Sequence, residues 1–133
     1  MISRTHVVTT LSLRKAYEKL RHRYISDGRI KDFNGYEVLI LLLADEPTSP
    51  KSFADSLSCK PAQITGYLSK LEKLGLLKRK ISKTDKRSFM FQLTKLGEQR
   101  SLDLLKVTRD IYDKTTQLTP DENNTLIQLL DRL

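Results

Sequence analysis

The residues best suited to electrostatic binding form a dense charged cluster between two apolar runs. The segment KTDKR, residues 83–87, places one carboxylate among three cations. It separates the runs at 77–81 and 88–93, and the second run has apolar residues at every other position. Two such runs joined by a short polar segment predict a β-hairpin with the charges at its tip. Asp85 is placed to accept a charge-assisted hydrogen bond from Arg87 and so to orient its guanidinium.

The net charge of the chain is concentrated around that segment. The 133 residues contain 24 Lys or Arg against 16 Asp or Glu, for a formal net charge of +8. Residues 60–87 hold nine basic and two acidic residues, a net charge of +7, whereas residues 94–133 hold six basic and seven acidic ones. A charge focused in this way favours a binding surface for a polyanion. From charge alone, a basic protein without such a partner remains the alternative.

Two short helices before the hairpin predict a helix-turn-helix. Proline suits a first helical position, where its missing N–H is no loss, so helices are expected to start at Pro50 and Pro61. They run over 50–57 and 61–74, with a three-residue turn at 58–60 between them. Gly75 is the expected left-handed cap of the second helix. Apolar residues recur at helical spacing on one side of each helix: Phe53, Ala54, Leu57, Ile64, Leu68 and Leu71.

The opposite face of the second helix is small and polar, as a helix in a DNA major groove requires. Gln63 and Thr65 lie near its N-terminus, where base edges are usually contacted. Two small residues would let the backbone approach DNA, and two lysines further along lie nearer the phosphates: Ala62, Gly66, Lys70 and Lys73. Taken alone, an ordinary helical hairpin in a protein core is the alternative.

Amphipathic helices are predicted on both sides of this region. Apolar spacing indicates a first helix over 11–26, and a capping box at Asn34 and Glu37 opens another helix through about residue 44. A long helix is expected from Thr94, and a second capping box at 119–122 opens a leucine-rich closing helix. The predicted fold class is mainly α with a small β-hairpin, a winged helix-turn-helix with flanking N- and C-terminal helices.

A helix-turn-helix followed at once by a basic hairpin is the winged-helix arrangement. The tip residues Lys83, Lys86 and Arg87 are predicted to lie along or enter a minor groove. Arg87 is the predicted groove reader, with Asp85 as its orienting partner. The alternative is a solvated charged turn, because exposed ion pairs usually contribute only ~0–1 kcal/mol.

Residues 49–98, SPKSFADSLSCKPAQITGYLSKLEKLGLLKRKISKTDKRSFMFQLTKLGE, resemble the DNA-binding core of the MarR (multiple-antibiotic-resistance regulator) transcription factors. The matching features are the helix-turn-helix, a wing with Asp-x-Arg at Asp85 and Arg87, and the Leu-Thr-x-x-Gly at 93–97 that opens the long helix. The final stretch, LTPDENNTLIQLLDRL, resembles the closing helix of the family. The resemblance covers about residues 33–133. Residues 1–133 are predicted to form a single MarR-like chain.

The resemblance implies a winged helix-turn-helix DNA-binding region over 33–93 and dimerisation helices over 5–28 and 94–133. It implies a homodimer on double-stranded DNA, bound to a palindromic operator with half-sites about one helical turn apart. It implies repression more often than activation. The residues carried over to the major groove are Gln63, Thr65, Gly66, Tyr67 and Lys70, with Arg87 in the minor groove and Asp85 orienting it.

Small-molecule sensing is less clearly marked. Family members often bind small aromatic effectors between the dimerisation and DNA-binding regions, and Tyr17, Tyr24 and Tyr36 are candidates to line such a pocket. Aromatic residues at helical spacing equally suit a core. His6 and His22 are too few for a zinc-sensing relative, so no metal and no cofactor is predicted.

The single cysteine, Cys59, lies in the turn of the helix-turn-helix. Beside Lys60 it suits a redox switch, because a nearby cation lowers a thiol pKa. It equally suits a small buried apolar position, and the lack of a second cysteine favours that interpretation. The reactive cysteine of peroxide-sensing relatives lies in the first helix, which has none here.

Other function classes find little support in the sequence. There is no Gly-rich phosphate loop, Cys-x-x-Cys pair or Gly-x-Ser-x-Gly elbow, so an enzyme is not predicted. No apolar run approaches the ~20 residues that span a bilayer. One cysteine and no signal peptide predict a cytoplasmic protein. The alternative function is a non-catalytic interaction module whose basic hairpin binds an acidic protein or anionic surface.

Overall fold

The computed structural model describes residues 2–81, 83, 84 and 88–133. Within that part, six α-helices and one antiparallel hairpin follow in the predicted order, which confirms a mainly helical winged-helix fold. A 3₁₀ turn, Gly28–Ile30, joins the first two helices. The elements are α1 (Thr5–Ser26), α2 (Gly35–Leu43), α3 (Pro50–Leu57), α4 (Pro61–Lys73), β1 (Leu77–Ile81), β2 (Phe89–Leu93), α5 (Lys95–Thr115) and α6 (Pro120–Leu130).

Four of the six α-helices of the described chain begin with a side-chain cap. The Asn34 side-chain oxygen accepts from the backbone N–H of Glu37 at 2.8 Å, and the Glu37 carboxylate accepts from the Asn34 N–H at 2.9 Å. Ser49, Thr94 and Thr119 cap α3, α5 and α6 in the same way. Each cap satisfies an N–H that has no partner in the first helical turn.

The hydrophobic core lies between α2, α3, α4, the hairpin and one side of α5. The predicted apolar sides of α3 and α4 face it, with Phe53, Ile64 and Leu71 completely buried. The other core residues are Ile30, Val38, Ile40, Leu41, Ala44, Ala54, Leu68, Leu76, Leu77, Phe91, Leu93, Leu104 and Ile111. Burying a large aliphatic or aromatic side chain contributes about 1.5–3 kcal/mol, so this cluster holds α2, α3, α4 and the hairpin together.

The hairpin pairs Leu77 with Leu93, Arg79 with Phe91 and Ile81 with Phe89. The loop predicted at 45–50 departs from expectation, because Thr48 forms a bridge to Phe91 with backbone hydrogen bonds of 2.8 and 2.9 Å. One residue of that loop therefore pairs with the middle of β2. The polar and proline-rich sequence around Thr48 predicts a loop. The pairing could not be predicted from it, because the partner strand is distant in the sequence.

The path from α4 to β1 turns at Gly75, which has the predicted positive φ, +77°. Its carbonyl oxygen accepts from the Thr94 hydroxyl at 2.5 Å, and the Leu76 carbonyl accepts from the Thr94 N–H at 3.1 Å. These bonds join the start of α5 to the base of the hairpin.

The outer helices α1 and α6 bury none of their residues within the chain. Helix α1 begins at Thr5 rather than at the predicted residue 11. The additional helical stretch, THVVTT, is rich in β-branched residues, whose modest helix propensity gave no sign of it. Tyr112 of α5 hydrogen-bonds Asn123 of α6. Large apolar side chains are exposed on both helices and on α5: Val7, Val8, Leu11, Leu13, Tyr17, Ile25, Leu102, Leu105, Leu126, Ile127, Leu129 and Leu130.

Candidate nucleic-acid interface

The structure brings the predicted residues of α4 together on one outward surface. Because α4 buries Ile64, Leu68 and Leu71 against the core, the opposite side must face outward. Five of the predicted residues are exposed and a sixth, Tyr67, is half-buried; the exposed ones are Ala62, Gln63, Thr65, Gly66 and Lys70. We call Ala62, Gln63, Thr65, Gly66 and Tyr67 the recognition surface.

The middle of the recognition surface is open. A Cβ added at Gly66 would have no atom within 4 Å, so this turn of backbone can be closely approached. The Thr65 hydroxyl donates to the Pro61 carbonyl at 3.0 Å. The Gln63 side-chain oxygen accepts weakly from the Lys60 N–H at 3.4 Å, while its amide nitrogen makes no hydrogen bond within the described part of the chain. Gln63 thus keeps donors for an external partner.

The N-terminus of α2 contacts the far end of this surface. The rings of Tyr36 and Tyr67 stack with centroids 5.4 Å apart and planes inclined by 15°. One turn further along α4, the Lys70 ammonium lies 2.8 Å from one carboxylate oxygen of Glu37 and 3.0 Å from the other. The sequence identified Lys70 as a residue near phosphates but gave no sign of this partner, which is 33 residues away in the chain.

The hairpin is attached to α4 through Arg79, a residue that the sequence pattern did not single out. Its Nε donates to the Glu72 carboxylate at 2.9 Å. Its guanidinium lies 5.2 Å from the ring centroid of Phe89 and 5.6 Å from that of Phe91. Cation–π contacts of this kind favour a fixed side chain. Arg79 therefore links α4 to the start and the middle of β2.

Only part of the predicted wing tip can be located. Lys83 is exposed at the end of the hairpin, so its ammonium is available to an anion. Asp85, Lys86 and Arg87 lie outside the described residues, and the predicted Asp85–Arg87 hydrogen bond stays a prediction.

A groove of about 350 Å³ lies between the start of α3, the recognition helix and the hairpin. Thr65 and Ser69 of α4 form one wall, and Arg79 and Phe89 form another. The remaining lining residues are Ser49, Pro50, Lys51, Leu68, Ser88 and Phe91. The groove thus offers a guanidinium, hydroxyl groups and aromatic rings beside the recognition surface.

A second set of charges joins the turn before α2 to α5. Arg29 donates to both carboxylate oxygens of Asp27, at 2.7 and 2.9 Å, and to Asp110 at 3.0 Å. The Arg29 hydrogen bonds hold the pKa of Asp27 down, at about 2. Hydrogen bonds from Lys114 and Arg29 lower the Asp110 pKa. This cluster fixes the segment between α1 and α2 against α5.

The other candidate residues lie in separate surroundings. Cys59 is half-buried and packs against the core, as a small apolar residue would. Tyr17 is exposed, Tyr36 stacks on Tyr67, and burial raises the pKa of Tyr24.

Within the described residues, no group of three His, Cys, Asp or Glu side chains is arranged to hold a metal ion. Over the same residues, none of the helices has the length and apolar character needed to cross a membrane.

Comparison with known proteins identifies the region that contains this surface. A sequence model of the MarR family matches residues 34–89, which run from the cap of α2 to the start of β2. Residues 34–89 are a MarR-family domain. Members of this family are transcriptional regulators, not enzymes, in agreement with the prediction from sequence. Among curated proteins, no sequence matches the chain.

Solved structures extend the likeness over the flanking helices. The regulator BldR from Sulfolobus solfataricus superposes with a TM-score of 0.75 at 21% identity, covering 97% of this chain and 95% of that one. BpsR from Bordetella bronchiseptica, whose DNA binding is regulated by 6-hydroxynicotinic acid, gives 0.73 at 20%, covering 98% and 91%. Wild-type apo MarR from E. coli gives 0.67 at 23%, covering 99% and 97%. The whole chain therefore has the MarR fold.

Proposed function

We propose that the chain is a sequence-specific DNA-binding transcriptional regulator, acting as a homodimer on a palindromic operator and usually repressing transcription. The observation that carries the proposal is the open, small and polar recognition surface of α4 inside a MarR-family domain. The net charge of +7 over residues 60–87 supplies the attraction to the phosphate backbone. Such a regulator acts in the cytoplasm, where it meets its DNA.

In this proposal α4 lies in the major groove. Gln63 and Thr65 read base edges, because a free amide can donate to base acceptors there. Ala62 and Gly66 allow close approach of the helix backbone, and Tyr67 borders the contact. Lys70 belongs to the same helix, at the far end of its outward surface.

The wing is proposed to occupy the neighbouring minor groove. Lys83 and Lys86 would lie along the phosphates, and Arg87 would insert where the groove is narrow and its potential most negative. Asp85 would hold the Arg87 guanidinium in a defined direction. The anchoring of the hairpin by Arg79 supports this arrangement, because a fixed hairpin base gives the tip a fixed approach.

Dimerisation is supported by the flanking helices at 5–28 and 94–133. Helices α1 and α6 expose many apolar side chains and bury none of their own residues. Apolar surface of this extent favours a second copy, and a two-fold dimer would present two copies of α4 to a two-fold site. The DNA-binding region, 33–93, would then act as a unit carried by each half.

Effector binding is the second part of the proposal. BpsR, with the same fold, is regulated by a small aromatic acid. The groove beside Thr65 and Arg79 offers a cation and aromatic rings for a ligand of that chemistry. A ligand seated there would contact α4 and the hairpin together and would alter their fit to DNA.

The proposal is tested by selecting bound duplexes from a random DNA pool at near-physiological salt. We expect enrichment of one two-fold-symmetric sequence with half-sites about one helical turn apart. Equal binding to every duplex would contradict sequence specificity. Binding to acidic proteins or anionic vesicles without any enriched duplex would favour the interaction module instead.

A further inference from the structure

We propose that Lys70 positions the recognition helix rather than binding a DNA phosphate, because its charge is neutralised by a buried carboxylate of α2. The inference rests on the proposed function and assigns a different role to one residue that the sequence placed near the phosphates. It concerns four side chains, Tyr36 and Glu37 of α2 with Tyr67 and Lys70 of α4, which we call the α2–α4 clamp.

Glu37 is a buried charge with few partners. The residue is only 1% exposed. One of its carboxylate oxygens accepts from the Asn34 N–H at 2.9 Å and from the Lys70 ammonium at 3.0 Å. The other oxygen makes no hydrogen bond, and within the described part of the chain its charge is compensated by the same ammonium, 2.8 Å away.

Because Glu37 is buried, Lys70 pairs with its carboxylate in preference to a DNA phosphate. A phosphate that drew the ammonium away would leave the Glu37 carboxylate buried without a counter-charge, which is strongly unfavourable. A phosphate in solution can be neutralised by any mobile cation, so it has much less to gain from Lys70. The Lys70–Glu37 pair therefore persists when DNA binds.

Lys73 provides the contrast on the same helix. It is exposed one turn later and forms no ion pair with any described residue. A lysine in that condition keeps its counterions until a phosphate replaces them. The two lysines have the same side chain on one helix, but only Lys73 retains its full charge for DNA.

The second contact of the clamp gives the pair its positioning role. Tyr36 and Glu37 are adjacent on α2, and they contact Tyr67 and Lys70, which are one turn apart on α4. Because the two contacts lie one turn apart along α4, they restrict both the rotation of α4 about its axis and its translation along that axis. Gln63 and Thr65 lie just before Tyr67 on the same helix, so their aim at the base edges depends on the clamp.

The first test measures the salt dependence of binding to a mixed-sequence duplex. The double variant Lys70→Met with Glu37→Gln removes both charges, keeps the stem of Lys70 and retains an acceptor for the Asn34 N–H, so no buried charge is left unpaired. We expect its slope of log K against log salt to equal that of the wild type. A phosphate-binding Lys70 would instead lower the slope by about 0.9 for each lysine, or by about two for a dimer.

The second test measures positioning. It compares binding to the enriched duplex with binding to the same duplex carrying one changed base pair in each half-site. We expect the double variant to lose about tenfold of this discrimination, and Lys70→Arg, which keeps the ion pair, to retain it. Lys73→Met is the matched control: it should weaken binding to both duplexes equally and so leave the discrimination between them unchanged.

A salt slope lowered by about two, or full discrimination in the double variant, would overturn the inference. Either result with a wild type that still selects a symmetric duplex would leave the proposed regulator standing. A wild type that selects no duplex would count against the proposed function itself, so the two failures are distinguishable.

Discussion

At the scale of single residues, two features leave the recognition surface accessible to a partner: a missing side chain and unused hydrogen-bond donors. Gly66 has no side chain, and a Cβ added there would meet no atom within 4 Å beyond its own helical turn; Gln63 has an amide with free donors in the described part of the chain. Glycine in a helix interior costs about 0.5–1 kcal/mol relative to alanine. A residue that lowers helix stability at an exposed, contact-free position suits a requirement imposed from outside the chain.

Gly66→Ala separates stability from binding. We expect the variant to be about 0.5–1 kcal/mol more stable to denaturant, because the new methyl meets nothing and helix propensity improves. We expect its affinity for the enriched duplex to fall at least about tenfold, or 1.4 kcal/mol, because the methyl occupies the space left for DNA. Urea unfolding and fluorescence anisotropy measure the two effects.

Gly35→Ala is the matched control, since Gly35 is also helical and has open space around it but lies at the start of α2. It should leave DNA affinity unchanged. A Gly66→Ala variant that binds with wild-type affinity would move the DNA contact away from the middle of α4.

The sequence is most informative about residues whose role is local. The capping boxes at Asn34 and Thr119 were both predicted, because a cap bonds the backbone two or three residues away. The partnership of Lys70 with Glu37 could not be predicted, because it spans 33 residues and depends on how α2 crosses α4.

At the scale of secondary-structure elements, the helices were predicted better than their contacts. The apolar spacing of α3 and α4 identified which sides are buried, and the order helix-turn-helix then hairpin identified the winged helix. The role of Arg79 was missed because it depends on the hairpin register, which places Arg79 opposite Phe91. That register is set by the turn geometry together with the apolar pattern of both strands, so neither strand alone reveals it.

Arg29 joins two elements in a way that should make folding stability depend on pH. In the folded chain the pKa of Asp27 is about 2 and that of Asp110 is also lowered, whereas an unperturbed Asp titrates near 3.8. A lowered folded-state pKa stabilises the fold above the unfolded-state value, and this contribution is lost as the pH falls through the folded-state value. The affected window is therefore about pH 4 down to pH 2.

Asp110→Asn removes part of this dependence. We expect its unfolding free energy to fall less steeply than that of the wild type between pH 4 and pH 2, with the two proteins converging at the acid end. Chemical unfolding at a series of pH values measures this. Asp113→Asn is the control on the same helix, since Asp113 is 3.8 Å from Arg109 in an exposed pair. Parallel curves for wild type and Asp110→Asn would show that the Arg29 cluster does not contribute.

At the scale of the whole molecule, the proposed dimer would account for the exposed apolar side chains of the outer helices. The winged-helix region has its own core, whereas α1 and α6 contribute no buried residue to the described chain. A recognition helix on a lone subunit would meet one half-site, while a two-fold dimer meets two at a fixed separation. In the proposed dimer, the apolar surface of α6 would contact the second copy, and the polar surface of each α4 would meet one half-site.

Leu130→Glu tests that arrangement. Leu130 is 41% exposed on α6, so the substitution should leave the fold of the single chain intact. We expect the dimer dissociation constant to rise about a hundredfold or more, because two leucines are lost per dimer at about 1.5–3 kcal/mol each. Sedimentation equilibrium measures this, with Gln128→Glu on the same helix as control. A Leu130→Glu variant that remains dimeric at the wild-type concentration would exclude this part of α6 from the interface.

The most direct measurement of the central claim is dimethyl sulphate protection on the enriched duplex. The reagent methylates guanine N7 in the major groove and adenine N3 in the minor groove, so one experiment reports on both. The proposed dimer predicts protected guanines in two major grooves about one helical turn apart, with protected adenines in the flanking minor grooves where the wings lie. Protection confined to the minor groove, or a single protected patch, would contradict a recognition helix presented twice to DNA.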